Sequence, residues 1–106
     1  MGDTRIKESA FQRKVIKFLK EQGCYVIKYW GGGKFTTAGV PDLLVCCNGR
    51  FIGIELKAEN GKASELQLWH LKQINKSGGM SYLLYPKDFE KFKRVVRDLC
   101  STHIRG

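Results

Sequence analysis

Hydrophobic positions along the chain change period several times, and each change marks an element. From Thr4 to Gln22 the apolar residues recur at helical spacing, with Phe11, Val15, Phe18 and Leu19 on one stripe and Gly23 suited to the position after a helix end. Cys24 to Trp30 is rich in β-branched and aromatic residues and predicts a strand. The stretch GGGKFTTAG breaks the pattern. Residues 40–47 and 50–58 then predict two strands on either side of Asn48-Gly49, followed by the short loop ENGKA. Ser64 predicts the N-cap of a second helix running to about Lys76, which Ser77-Gly78-Gly79 ends. Met80 to Tyr85 predicts a fourth strand. Pro86 precedes a last helix capped by Asp88, with Phe89, Phe92, Val96 and Leu99 facing inward and the final six residues frayed. The order α-β-β-β-α-β-α predicts an α/β fold, a mixed four-stranded sheet flanked by helices, in a single domain over 1–106.

Asn-Gly is a strong hairpin signal, because a two-residue type I′ turn needs positive φ at both central positions. Such a turn pairs Cys47 with Arg50. Counting outward, it sets Asp42 opposite Glu55 and Val40 opposite Lys57. Period-2 alternation keeps Asp42, Glu55 and Lys57 on one face of the sheet. Opposed residues have Cβ atoms roughly 4.5–5.5 Å apart, and like charges there are destabilising. A carboxylate pair in that position needs a proton, a cation or a purpose.

Composition narrows what the purpose is. Nineteen Lys and Arg against ten Asp and Glu give a net charge of +9, and 42% of the 106 residues are hydrophobic. A basic, foldable chain favours a polyanionic partner. Nucleic acid comes before membrane, since no amphipathic segment stands apart from the core pattern. No run of 18 apolar residues and no signal peptide is present, which predicts a cytoplasmic (bacterial or phage-infected cell) or nuclear protein that is not secreted. Cys24, Cys46, Cys47 and Cys100 show no C-x-x-C spacing, and Cys46 and Cys47 point to opposite faces of a strand. They are expected to be reduced, partly buried thiols and not zinc ligands or disulfides.

A third carboxylate joins the pair. At 100° per residue, Glu8 falls on the same stripe as Phe11, Val15 and Leu19, an acid on the apolar face of a basic helix. Its plainer role is to favour the helix dipole in the first turn. Two or three carboxylates and a lysine are what a hard divalent cation uses: oxygen ligands for Mg²⁺, with room for water and a phosphate. Lys57 is then placed to orient an attacking water or to stabilise developing negative charge. A cross-strand ion network is the non-catalytic alternative, but one lysine neutralises one acid and not two.

Pro41-Asp42 followed by Glu55-Leu56-Lys57 resembles the PD-(D/E)XK nuclease motif. Gly39-Val40, the helical Glu8 and Ser64-Glu65-Leu66-Gln67 make the chain similar, more narrowly, to the VRR-NUC family of virus-type replication-repair nucleases. The likeness runs from Glu8 to the last strand. It implies a restriction-endonuclease-like core and a Mg²⁺- or Mn²⁺-dependent DNA endonuclease. It implies Glu8, Asp42, Glu55 and the backbone carbonyl of Leu56 around the metal, and Asp42, Glu55, Lys57 and Gln67 as the catalytic set. Short members of the family are similar to Holliday-junction resolvases and are expected to dimerise, so the expected substrate is four-way or branched DNA, cut by paired nicks. The alternatives are a nicking or restriction-like nuclease on the same fold, or a basic non-catalytic DNA-binding module.

Several residues have a second reading. Ser64 and Gln67 also fit a capping box, which accounts for both without catalysis. The glycine loop lacks the glycine and the Ser or Thr that a Walker A motif places around its lysine, which excludes a nucleotide-binding P-loop. Lys34 in that loop and Lys62 in ENGKA are the candidate contacts to a DNA backbone. Trp30 and Phe35 suit either base stacking or ordinary packing. Leu66, Leu68, Trp69, Leu71 and Ile74 wrap around most of the second helix, so one side is expected on the sheet. The other is expected against a second subunit or against the last helix.

Overall fold

The structure, a computed structural model, describes residues 7–30 and 37–101. It contains helix α1 (Glu8–Glu21), strands β1 (Tyr25–Lys28), β2 (Leu43–Cys47) and β3 (Arg50–Leu56), helix α2 (Glu65–Lys76), strand β4 (Met80–Leu84) and helix α3 (Phe89–Ser101). The element order is the expected one. Strand order in the sheet is β1-β2-β3-β4, antiparallel except for the β3–β4 pair, which is parallel. Parallel neighbours cannot be joined by a hairpin, and α2 is the crossover between them.

Helix ends follow local chemistry. Lys7 has extended backbone (φ −68°, ψ 146°), so α1 begins at Glu8 and not at Thr4, which lies outside the described residues. After α1, Gly23 has φ +86°; its N–H bonds the Lys20 carbonyl and that of Cys24 bonds the Leu19 carbonyl. Gly78 (φ +96°) ends α2 in the same way, with Gly79 N–H on Ile74. Both are Schellman closures, which satisfy carbonyls the helix leaves over. Asp88, expected to cap the last helix, instead closes a 3-10 turn, Pro86–Asp88, that runs directly into α3.

The core lies between the sheet and the α1–α3 pair. Phe11, Val15, Phe18 and Leu19 of α1 and Phe92 and Val96 of α3 bury against Leu43, Val45, Ile52, Ile54 and Leu56. Each such side chain, fully buried, contributes roughly 1.5–3 kcal/mol. Phe89 meets both Phe11 and Phe18 edge-on, which locks the two helices together. On the opposite face α2 lies close over Gly53, where a Cβ would collide with Ile74. Because α3 sits on the other face, it does not cover the outer side of α2: Leu66 and Leu68 are each 46% exposed and Trp69 is 53% exposed.

Candidate active site

The hairpin has the expected register. Asn48 and Gly49 both have positive φ (52° and 81°), Cys47 pairs with Arg50, and pairing continues to Leu43 with Ile54. There the ladder stops, three residues short of the predicted start of β2 at residue 40. In this register Leu56 should exchange hydrogen bonds with residue 41, but Pro41 has no N–H to give. The Leu56 N–H goes to the Asp42 carboxylate, whose Oδ2 accepts it at 2.8 Å. The Asp42 carbonyl accepts from the N–H of Tyr29, the residue after β1, at 2.8 Å. Val40 and Lys57 are therefore not ladder partners; Lys57 N–H turns to β4 and bonds the Leu84 carbonyl at 3.0 Å. In an antiparallel strand a residue's N–H and C=O point the same way, so the Leu56 carbonyl faces the edge that Asp42 holds.

Turn chemistry aims this segment. Gly39 has φ +83°, and a Cβ there would stand 2.6 Å from Leu66 Cγ and 3.0 Å from His70. The His70 ring contacts the Ala38 carbonyl at 3.0 Å, and the Tyr29 hydroxyl both accepts from Thr37 N–H and donates to its carbonyl. The chain thus enters Pro41-Asp42 along one fixed path.

Glu55 is 2% exposed, the single buried charged side chain among the described residues. Its Oε2 lies 3.4 Å from Lys57 Nζ, while its Oε1 is buried without a hydrogen-bond partner. Burial first, then the Asp42 charge, pushes its pKa up to about 7; Lys57 pulls the other way, and Glu8 adds a smaller upward push. Glu8 stands exposed at the start of α1. Its pKa is also raised, by partial desolvation and then by Asp42, with Lys57 opposing. Glu8, Asp42, Glu55 and Lys57 therefore share one electrostatic neighbourhood at the sheet end away from the Asn48-Gly49 turn.

That neighbourhood fits a divalent cation. A buried carboxylate oxygen with no partner costs free energy unless something positive meets it, and three acids outnumber the one lysine. Glu8, Asp42, Glu55 and the Leu56 carbonyl offer oxygen atoms only, the donor type that Mg²⁺ and Mn²⁺ prefer.

Other sequence candidates fall elsewhere. Gln67 forms the capping box with Ser64: its Oε1 accepts Ser64 N–H at 2.9 Å, and its N–H bonds Ser64 Oγ at 3.1 Å. Only its amide NH₂ is left to reach outward. Lys62 is exposed on the loop after β3, and Lys34 and Phe35 lie outside the described residues. Trp30 is 71% exposed with Lys28 Nζ 3.9 Å over its ring, so it is not core. One residue escaped the sequence reading. Gln12 sits one turn after Glu8, and its Oε1 is buried without a hydrogen-bond partner. The available signal was a polar residue at i+4 from an acid, on the same side of the helix.

No curated protein and no solved structure was found to match the chain. The family model for archaeal Holliday junction resolvases (hjc) matches residues 3–97. That span contains α1, the hairpin with its acids and lysine, α2 and β4, and on it the chain belongs to the archaeal Holliday junction resolvase family, within the PD-(D/E)XK nuclease superfamily.

Proposed function

We propose that this protein is a divalent-metal-dependent endonuclease that cuts branched DNA, a Holliday-junction resolvase acting by paired nicks. The observation that carries the reading is the buried Glu55, one oxygen on Lys57 and the other unpartnered, beside Asp42 in a chain of this family. When bound, Mg²⁺ or Mn²⁺ lowers the pKa of a water and offsets the negative charge of the phosphodiester under attack. Asp42, Glu55, Glu8 and the Leu56 carbonyl would hold the cation. The Leu56 N–H fixes the Asp42 carboxylate in place. Lys57 orients the water or holds the charge that builds in the transition state. Gln67 contributes through its free NH₂. Lys34 and Lys62 contact the backbone of a DNA drawn in by the +9 charge.

The narrower VRR-NUC likeness rests on Gly39-Val40 and the Ser64–Gln67 run. Two symmetric cuts need two sites, which a C₂ homodimer supplies. Support for a dimer is the apolar outer side of α2, with Leu66, Leu68 and Trp69 uncovered, continuing to Phe51 at 44% exposure.

The test is cleavage of a synthetic four-way junction and of matched linear duplex, each with Mg²⁺, Mn²⁺ or EDTA. Symmetric nicks in the junction alone, lost with EDTA and in Glu55→Gln, are expected. Equal cutting of duplex would reassign the protein as a nicking or restriction-like nuclease. Tight junction binding with no metal-dependent cutting would make it a non-catalytic binding module.

A further inference from the structure

The cysteines, set aside on their spacing, are brought together by the fold. Cys24 precedes β1, Cys47 ends β2 and Cys100 lies in the last turn of α3, yet their sulfurs all lie within 4.8 Å of one another. Cys47 and Cys100 are closest, with Sγ atoms 3.3 Å apart, well beyond a disulfide bond of ~2.05 Å. Cys24 and Cys47 are buried and Cys100 is half-buried, so the cluster reaches the surface on the α3 side. Cys46 is exposed on the other face of β2 and takes no part. Cys100 Sγ also lies 3.6 Å from the Gln22 carbonyl.

We propose that Cys24, Cys47 and Cys100 form a binding site for a thiophilic divalent cation, Zn²⁺ in the cell, that fastens the end of α3 to the β1–β2 edge. Three sulfurs around a tetrahedral Zn²⁺, with bonds of ~2.3 Å, stand about 3.8 Å from each other. The 3.3 Å contact and the 4.8 Å bound bracket that spacing, so a cation enters with shifts of no more than about 1 Å. The fourth position opens where Cys100 is exposed and is left to water. Sulfur selects against the hard cations that suit Asp42 and Glu55, so the two sites take different metals. They are also apart: Arg50, the partner of Cys47, is five residues along β3 from Glu55, about 17 Å. The cluster is therefore structural and independent of cleavage. Burial pushes the Cys24 and Cys47 thiols up, so a bound cation replaces protons there and couples its binding to folding.

The test uses the whole chain, reduced with a phosphine, stripped with a chelator and titrated with Cd²⁺ as a spectroscopic probe and separately with Zn²⁺. One equivalent of Cd²⁺ should give a saturating thiolate charge-transfer band. One equivalent of Zn²⁺ added to a separate stripped sample should raise the melting temperature, and Cd²⁺ added afterwards should develop the band only as it displaces the Zn²⁺, while excess Mg²⁺ does neither. Cys46→Ser should behave as the parent. Cys47→Ser and Cys100→Ala should each lose the band and the melting shift; Cys100, at the half-buried end, supplies the variant that keeps its fold. No band in the parent, a band that survives Cys100→Ala, or a Cys47–Cys100 disulfide in the air-purified chain together with no metal uptake after reduction would overturn the proposal and return the cluster to core packing.

Discussion

At the scale of single residues, Asp42 has two jobs and Glu55 has one. Asp42 accepts the Leu56 N–H just beyond the last ladder pair, so its removal costs more than a charge. Asp42→Ala should lose cleavage and destabilise the fold by about 1–2 kcal/mol, the penalty of an unmet N–H. Asp42→Asn keeps an acceptor and should melt near the parent while still failing to cut. Glu55 behaves oppositely. Its folded pKa near 7 lies above the ordinary carboxylate value of 4.5, so the native state holds a proton that the unfolded chain releases. Stability associated with this group is present below about pH 4.5 and lost as pH rises to about 7. Glu55→Gln escapes that loss. Denaturant melts without divalent metal should show the variant gaining on the parent from pH 4.5 to 7, by at most about 3 kcal/mol, with a constant gap above. A gap that does not change with pH would mean Glu55 is not held protonated. Gln12→Met extends the logic to the other unpartnered oxygen: a higher melting temperature without metal and a smaller Mn²⁺-induced rise, both read by calorimetry.

At the scale of elements, the hairpin was legible because its turn chemistry is local. Asn48-Gly49 fixes the register, and the register fixes which side chains oppose. Where pairing ends was not legible, since it depends on how Gly39 and Pro41 steer the entering chain against α2. Gly39→Ala forces a Cβ into Leu66 at a positive φ and should cost about 1–3 kcal/mol. By shifting Pro41-Asp42 it should also lower cleavage, in contrast to Gly49→Ala, whose Cβ meets open space. Thermal melts and junction assays on the two variants separate aim from turn strain. The apolar girth of α2 was visible in the sequence, but whether α3 covered it was a question of which face α3 takes.

At the scale of the whole molecule, charge and shape set the expectation for assembly. Exposed Leu66, Leu68 and Trp69 on one helix are a costly arrangement for an isolated chain. Light scattering should give twice 12.1 kDa at micromolar concentration, and Trp69→Lys should give the monomer with its fold retained and paired cutting reduced to single nicks. A parent mass of one chain, unchanged on adding a junction, would end the dimer reading. By itself the sequence determined the element order, the hairpin register from Leu43 to Arg50, and the basic charge, and it brought Asp42 into the neighbourhood of Glu55, because each follows from local periodicity, turn propensity or composition. Glu8 was legible too, since helical periodicity places an acid on a stripe. Only the tertiary structure decided that Asp42 takes the Leu56 N–H beside Pro41, that Gln12 carries an unpartnered oxygen, and that three cysteines distant in sequence meet. These depend on how two faces of a sheet are covered, and packing across a sheet leaves no period in the chain for a reader to count.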